Sequence, residues 1–86
     1  MHARILYPTN GTIIAMDPDI PVGHQRVQFN AKGTGEIAWQ IDGASAGDGQ
    51  EVGWTPTGGR HRLVLTDPQG KELDAVSFEV RGAATQ

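Results

Sequence analysis

The clearest pattern in the sequence lies at residues 60–80, RHRLVLTDPQGKELDAVSFEV. A DPQG segment typical of turns separates two halves in which every second side chain is large. Residues two apart in a strand share one face, so the pattern predicts two paired strands with one buried side. The side chains on that side are His61, Leu63, Leu65, Val76, Phe78 and Val80. Leu73 is out of phase with the later set, which predicts a β-bulge near Asp74 and Ala75.

The same alternation continues toward the N-terminus in shorter segments, at residues 26–31, 36–41 and 52–54. The inward-facing positions predicted there are Val27, Phe29, Ala31, Ile37, Trp39, Ile41, Val52 and Trp54. Trp39 is expected at the core centre because it is the largest apolar side chain in its strand. Asp42-Gly43 favours a hairpin turn, whereas residues 44–50, rich in glycine and small residues, predict a loop with at most a short edge strand.

Residues 4–15 predict a split edge strand. The run at residues 4–7 stops at Pro8, Asn10-Gly11 supplies a turn, and residues 12–15 resume the extended pattern. Residues 17–23 contain two prolines that cannot donate to a strand ladder, so they predict a loop crossing the end of the sheet.

No segment places apolar residues at helical spacing over three turns. About seven short antiparallel strands, with turns every eight to twelve residues, are typical of an all-β, immunoglobulin-like β-sandwich. The length of 86 residues allows one domain, 1–86, with an ordered core of about 4–81. The predicted structural core consists of Val27, Phe29, Ile37, Trp39, Ile41, Leu63, Leu65, Val76, Phe78 and Val80.

The composition excludes several classes of partner. A net charge of −3 gives no attraction toward nucleic acid, because that binding depends on clustered lysine and arginine. The absence of cysteine excludes a disulfide framework and a thiolate metal site. No apolar run is long enough to span a bilayer, so we expect no membrane insertion by this domain.

The sequence also offers little for catalysis or for cofactors. His2, His24 and His61 lack metal-ligand spacing, so no metal site is predicted. Ser45 and Ser77 lie in a small-residue loop and a strand without a nucleophile-elbow motif, so neither is a credible nucleophile. We therefore expect a domain without catalytic activity or cofactor. His61 is expected to be hydrogen-bonded at the sheet margin, with a surface contact beside Arg60 and Arg62 as the alternative.

Trp54 allows two interpretations. An exposed tryptophan at a sheet end can stack on a sugar ring, whereas a buried one closes the core; the scarcity of large apolar residues favours packing. The binding residues predicted from the sequence are Trp54, Arg60 and Arg62.

Several motifs in the chain occur together in one known family. They are Trp39-Gln40-Ile41-Asp42-Gly43, Trp54-Thr55-Pro56, Gly59-Arg60-His61-Arg62-Leu63, Asp67-Pro68-Gln69-Gly70 and Val76-Ser77-Phe78-Glu79-Val80. In this order they resemble the C-terminal domain of class A (bifunctional) penicillin-binding proteins of the 1C type. The resemblance implies an accessory domain that follows glycosyltransferase and transpeptidase domains, on the periplasmic side of an inner-membrane-anchored parent. It carries over no catalytic residue.

Three functions follow as hypotheses. The leading one is an accessory domain of a peptidoglycan synthase that contacts a periplasmic protein, such as one of the α-2-macroglobulin-like kind, or packs on its own transpeptidase domain. The second is a carbohydrate-binding module for peptidoglycan, which requires an exposed aromatic beside polar side chains. The third, a stand-alone hydrolase, is the least favoured because no nucleophile–base pair is evident.

Overall fold

The computed structural model describes residues 3–16, 19–20, 24–33 and 35–82. These residues form eight strands and no α-helix. The strands are β1 (Ala3–Tyr7), β2 (Thr12–Ala15), β3 (Val27–Gly33), β4 (Ala38–Ile41), β5 (Ala44–Asp48), β6 (Glu51–Trp54), β7 (Gly59–Thr66) and β8 (Glu72–Arg81). Of the loop predicted at residues 17–23, only residues 19–20 are described, and the rest lies outside the described residues.

The strands form two sheets, a three-stranded sheet in the order β1-β3-β6 and a five-stranded sheet in the order β2-β8-β7-β4-β5. The predicted immunoglobulin-like sandwich is confirmed. The description needs two refinements: the described strands number eight because residues 44–48 pair as an edge strand, and β2 runs parallel to β8. The parallel pair arises because the split first strand contributes its two halves to different sheets.

The Asn10-Gly11 turn carries the chain from one sheet to the other. The Ser77 backbone N–H donates to Asn10 Oδ1 at 2.9 Å, and the Gly11 N–H donates to the Ser77 carbonyl at 2.8 Å. Gly11 has a φ of +85°, which glycine adopts without steric cost. The turn therefore joins the ladder of β8 before β2 begins.

The predicted bulge in β8 lies at Leu73. Leu65 is opposite Asp74 and Thr66 is opposite Glu72, which leaves Leu73 as the extra residue. The bulge thus occurs one residue before the predicted position. The neighbouring Asp74 carboxylate accepts the Ile5 backbone N–H of β1 at 2.8 Å, so it connects an edge strand of one sheet to the other sheet.

The core lies between the two sheets. Nine of the ten residues predicted as structural core are buried, and Ile41 is half-buried. The side chain of Trp39 is completely enclosed, and its indole N–H donates to the Gly49 carbonyl at 2.7 Å. Ile5 and Met16 are also buried in this core. Within the described part of the chain, no helix is long and apolar enough to cross a membrane.

Candidate binding surface

His61 lies on the inner side of β7 and is buried. Its Nδ1 is 2.6 Å from Asp42 Oδ2, and its Nε2 is 2.8 Å from the Thr57 carbonyl oxygen. The Arg62 backbone N–H donates to the other Asp42 oxygen at 3.0 Å. The predicted hydrogen bonding of His61 at the sheet margin is confirmed, and the alternative of a surface contact beside Arg60 and Arg62 is wrong because the ring faces inward.

The contacts of Asp42 determine the direction in which the pKa of its carboxyl group is shifted. The hydrogen bond from His61 is the largest influence and the bond from the Arg62 N–H the second, and together they lower the pKa of the Asp42 carboxyl below its ordinary value. An ionised carboxylate only accepts hydrogen bonds, so His61 Nδ1 carries the proton between them. Asp42 adopts a φ of +52° in its turn with Gly43, a conformation that aspartate tolerates better than most residues.

Asp42 contacts His61, and His61 contacts Thr57. This is the order of contacts in a catalytic triad of carboxylate, histidine and hydroxyl. The distances do not fit that chemistry: Thr57 Oγ1 is 3.4 Å from His61 Nε2, whereas the Thr57 carbonyl oxygen is only 2.8 Å away. A general base needs the hydroxyl within about 2.6–3.2 Å. His61 Nε2 is therefore directed at a backbone oxygen, which indicates a structural role for His61.

Trp54 is half-buried at the end of β6 and belongs to an aromatic cluster. Its ring centroid is 5.5 Å from that of Phe29 at an interplanar angle of 26°, so the two rings stack. His61 and Phe78 meet it at 76° and 88°, with centroids 5.0 and 5.6 Å away. These contacts correspond to the packing alternative considered for Trp54, and one face of its ring is stacked on Phe29.

The structure does not bring the three predicted binding residues together. Trp54 packs between the sheets, whereas Arg60 and Arg62 are exposed on the opposite side of β7 from His61. Arg60 is paired with Glu79 of β8 across the ladder, and Arg62 with Ser77. The two arginines therefore belong to a different surface.

That surface, named the outer face here, is the side of the five-stranded sheet turned away from the core. Its members are Ile13, Gln40, Arg60, Arg62, Val64, Ala75, Ser77, Glu79 and Arg81. Two open grooves lie on it, one of about 400 Å³ beside Arg60 and Arg81 and one of about 270 Å³ beside Arg62 and Val64.

Among the described residues, two ion pairs lie on the outer face. Arg81 Nε donates to Glu79 Oε2 at 2.9 Å, which lowers the pKa of Glu79 and raises that of Arg81. Arg62 and Glu72 approach only to 3.4 Å, and both side chains are more than half exposed. Sequence reasoning missed Ile13, Glu79 and Arg81. The signal was available for Glu79 and Arg81, because they alternate with the core residues of β8.

Among the described residues, no three His, Asp or Glu side chains are grouped so that they could hold a metal ion. His2 lies outside the described residues.

Comparison with known proteins assigns the family. The model of the Penicillin-Binding Protein C-terminus Family matches residues 2–78, which is most of the chain. The chain belongs to this family. Membership implies a protein of the cell envelope, and the immunoglobulin-like sandwich described above is consistent with an accessory domain.

The fold has a counterpart among solved structures. Clostridium thermocellum CbhA fibronectin(III)-like modules superpose with a TM-score of 0.70 at 16% sequence identity, over 95% of this chain and 99% of that chain. At this identity the likeness shows the fold alone. No curated protein matches the sequence.

Proposed function

We propose that this domain is a non-catalytic accessory module of a peptidoglycan synthase, a class A penicillin-binding protein of the 1C type, and that it binds protein. The partner is a separate periplasmic protein or the transpeptidase domain of the same polypeptide. The domain acts on the periplasmic side of the inner membrane. Family membership supports this setting, and the arrangement of side chains supports the mode of action.

The observation that carries the proposal is the difference in side chains between the two sides of the five-stranded sheet. The side chains suited to proton transfer or ring stacking are His61, Trp39 and Trp54. All three pack inside the sandwich. The outer face instead carries arginines, a glutamate and short side chains on a regular sheet. A broad surface of mixed polarity fits a protein contact.

Peptidoglycan binding is the rival function. It depends on an exposed aromatic ring beside polar groups. Among the described aromatic residues, Trp39, Phe29 and Phe78 are buried and Trp54 is half-buried. The remaining one is Tyr7, which is 41% exposed and lies shortly before the Asn10-Gly11 turn. Tyr7 lies on β1 of the three-stranded sheet, so a glycan site would use a different surface from the outer face.

Titration of the isotope-labelled chain with isolated muropeptides tests the choice between the two functions. Protein binding predicts no saturable change in tryptophan fluorescence and no shift of backbone resonances around Tyr7. A Tyr7→Ala variant is the matched control, since it removes the one well-exposed aromatic ring among the described residues. A saturable change in the wild type that Tyr7→Ala abolishes would replace the proposed function with glycan binding.

A further inference from the structure

The outer face carries most of the arginines of an acidic chain. The whole sequence carries a net charge of −3, yet three of its five arginines, Arg60, Arg62 and Arg81, lie on this face. The carboxylates beside them are Glu79, Glu72 at the start of β8, and Asp42, which accepts the Arg62 backbone N–H and lines the groove beside Arg62. Among the described residues, arginines and carboxylates are therefore equal in number on and beside this face, and the arginines available for binding are those that are paired least firmly.

These arginines differ in how firmly they are already paired. Arg81 is hydrogen-bonded to Glu79 at 2.9 Å. Arg60 lies across the ladder from the same glutamate, whose pKa is lowered mainly by the bond from Arg81 and further by the charge of Arg60, but the Arg60 guanidinium makes no hydrogen bond to any residue in the described part of the chain. Arg62 reaches Glu72 only at 3.4 Å, with exposed fractions of 59% and 52% for the two side chains. Arg60 and Arg62 are thus the cations available to an incoming carboxylate.

Their spacing specifies the shape of the ligand. Arg60 and Arg62 are two residues apart on one strand, so their stems stand roughly 6.6 Å apart. An extended peptide has the same two-residue repeat, so alternate acidic side chains on it would match both guanidinium groups.

The surroundings of the two arginines leave room for such a segment. The groove of about 400 Å³ beside Arg60 is also lined by Ile13, which is 55% exposed, and the groove of about 270 Å³ lies beside Arg62. Ser77, opposite Arg62, has a short side chain that lets another backbone approach. Ile13 offers an apolar contact at one end of the larger groove.

We propose that the outer face binds an extended acidic segment of a protein, with alternate carboxylates on Arg60 and Arg62 and an apolar side chain against Ile13. This inference rests on the proposed function and adds the surface and the chemistry of the partner. Glycan is the less suitable occupant because the described residues of this face include no exposed aromatic ring. Nucleic acid is disfavoured by the acidic remainder of the chain.

A peptide titration tests the charge requirement directly. The probe is a synthetic peptide of alternating Glu and Ser, and the readout is chemical-shift change in the labelled 86-residue chain. The shifts are expected at residues 60–62 and 77–79 and to weaken with salt. The double variant Arg60→Gln, Arg62→Gln should lower the affinity by about threefold to tenfold, as expected for two exposed ion pairs.

The matched control is Arg4→Gln, Arg26→Gln, which removes the same charge from the exposed surface of β1 and from the residue before β3, outside the five-stranded sheet. It should leave the affinity within a factor of about two, since distant exposed charges are screened. Equal losses in both double variants, or equal binding of an alternating Lys-Ser peptide, would overturn the inference. Thermal unfolding of each variant confirms that the fold is retained.

Photo-crosslinking in the cell separates this inference from the proposed function. A photoreactive amino acid replaces Ser77 on the outer face or, in a second variant, Gln28 on the exposed side of β3. A crosslink from position 77 to a protein segment rich in Asp and Glu, lost in the Arg60→Gln, Arg62→Gln background, supports the inference. Protein crosslinks only from position 28 would overturn it and leave the proposed function standing, and protein crosslinks from neither would contradict both.

Discussion

The two sides of β7 differ more than any other pair of surfaces in this domain. On the inner side His61, Leu63 and Leu65 are buried, and His61 is tied to Asp42 by a hydrogen bond of 2.6 Å. On the outer side Arg60 and Arg62 are exposed; Arg62 approaches Glu72 only to 3.4 Å, and Arg60 interacts with Glu79 through charge without a hydrogen bond. Adjacent residues of one strand thus differ in their surroundings: the inner set packs in the sandwich, and the outer set is exposed and forms the surface of the proposed contact.

The largest expected effect belongs to the inner side, at Trp39. Replacing Trp39 with alanine removes a completely buried ring that packs on Phe29 and leaves a cavity. The free energy of unfolding should fall by about 3–5 kcal/mol, measured by urea denaturation. Trp39→Phe, which keeps an aromatic ring, should cost clearly less. Equal costs would show that ring packing at this site does not stabilise the sandwich.

A smaller loss is expected at His61, where a smaller ring and its polar contacts are removed. His61→Ala leaves the Asp42 carboxylate and the Thr57 carbonyl without their ring partner. The expected loss of unfolding free energy is about 1.5–3 kcal/mol, the range for a hydrogen bond to a charged group. Trp54 fluorescence should change in the native state as well, because the two rings are in contact. A stability equal to that of the wild type would contradict a structural role.

The pairing of Asp42 gives a pH dependence of defined sign. Its folded-state pKa is lowered, first by the bond from His61, so the unfolded state binds a proton more readily than the folded state. The resulting stability is present above the ordinary pKa of aspartate, near pH 4, and is lost as the pH falls through the lower folded-state pKa. The Asp42 side chain is 51% exposed, so solvent screening keeps the effect below about 1 kcal/mol.

Asp42→Asn is the variant that checks this sign. Its stability deficit relative to the wild type should be present at neutral pH and should shrink on acidification. Denaturation series at matched pH values measure the difference. A deficit that stays constant down to the acid limit would assign the cost of the substitution to something other than the charge of Asp42.

The smallest effect on stability is expected on the outer side. Arg62→Ala removes an ion pair at 3.4 Å between two exposed side chains. The unfolding free energy should change by no more than about 0.5 kcal/mol. A loss comparable to that of His61→Ala would remove the contrast between the two sides of β7.

The strand pattern was predictable because alternation reports directly on which side chains are buried. Residues 60–80 show this best: the two strands, the turn and the bulge all appear, with the bulge displaced by one residue to Leu73. The pairing of residues 44–48 as β5 was less evident, because alanine, serine and glycine give no alternation. Backbone hydrogen bonding to β4, which does not depend on side-chain size, forms that strand.

The candidate surface was harder to predict than the fold. Arg60 and Arg62 were predicted as binding residues from the sequence and are exposed on this face, but Trp54 was grouped with them although it packs against the core cluster. Glu79 and Arg81 face the same way as the arginines by simple alternation, whereas Ile13 joins them only through the parallel pairing of β2 with β8. A pairing between segments more than sixty residues apart is a property of the tertiary structure, and no local pattern indicates it.

An alanine scan of residues 60–63 tests the contrast between the two sides most directly, when each variant is measured both for stability and for crosslinking to protein from position 77. The predicted result is an alternation of the two effects: stability falls at His61 and Leu63, while crosslinking falls at Arg60 and Arg62 with stability unchanged. Crosslinking that declines only where stability declines would contradict the assignment of binding to the outer side.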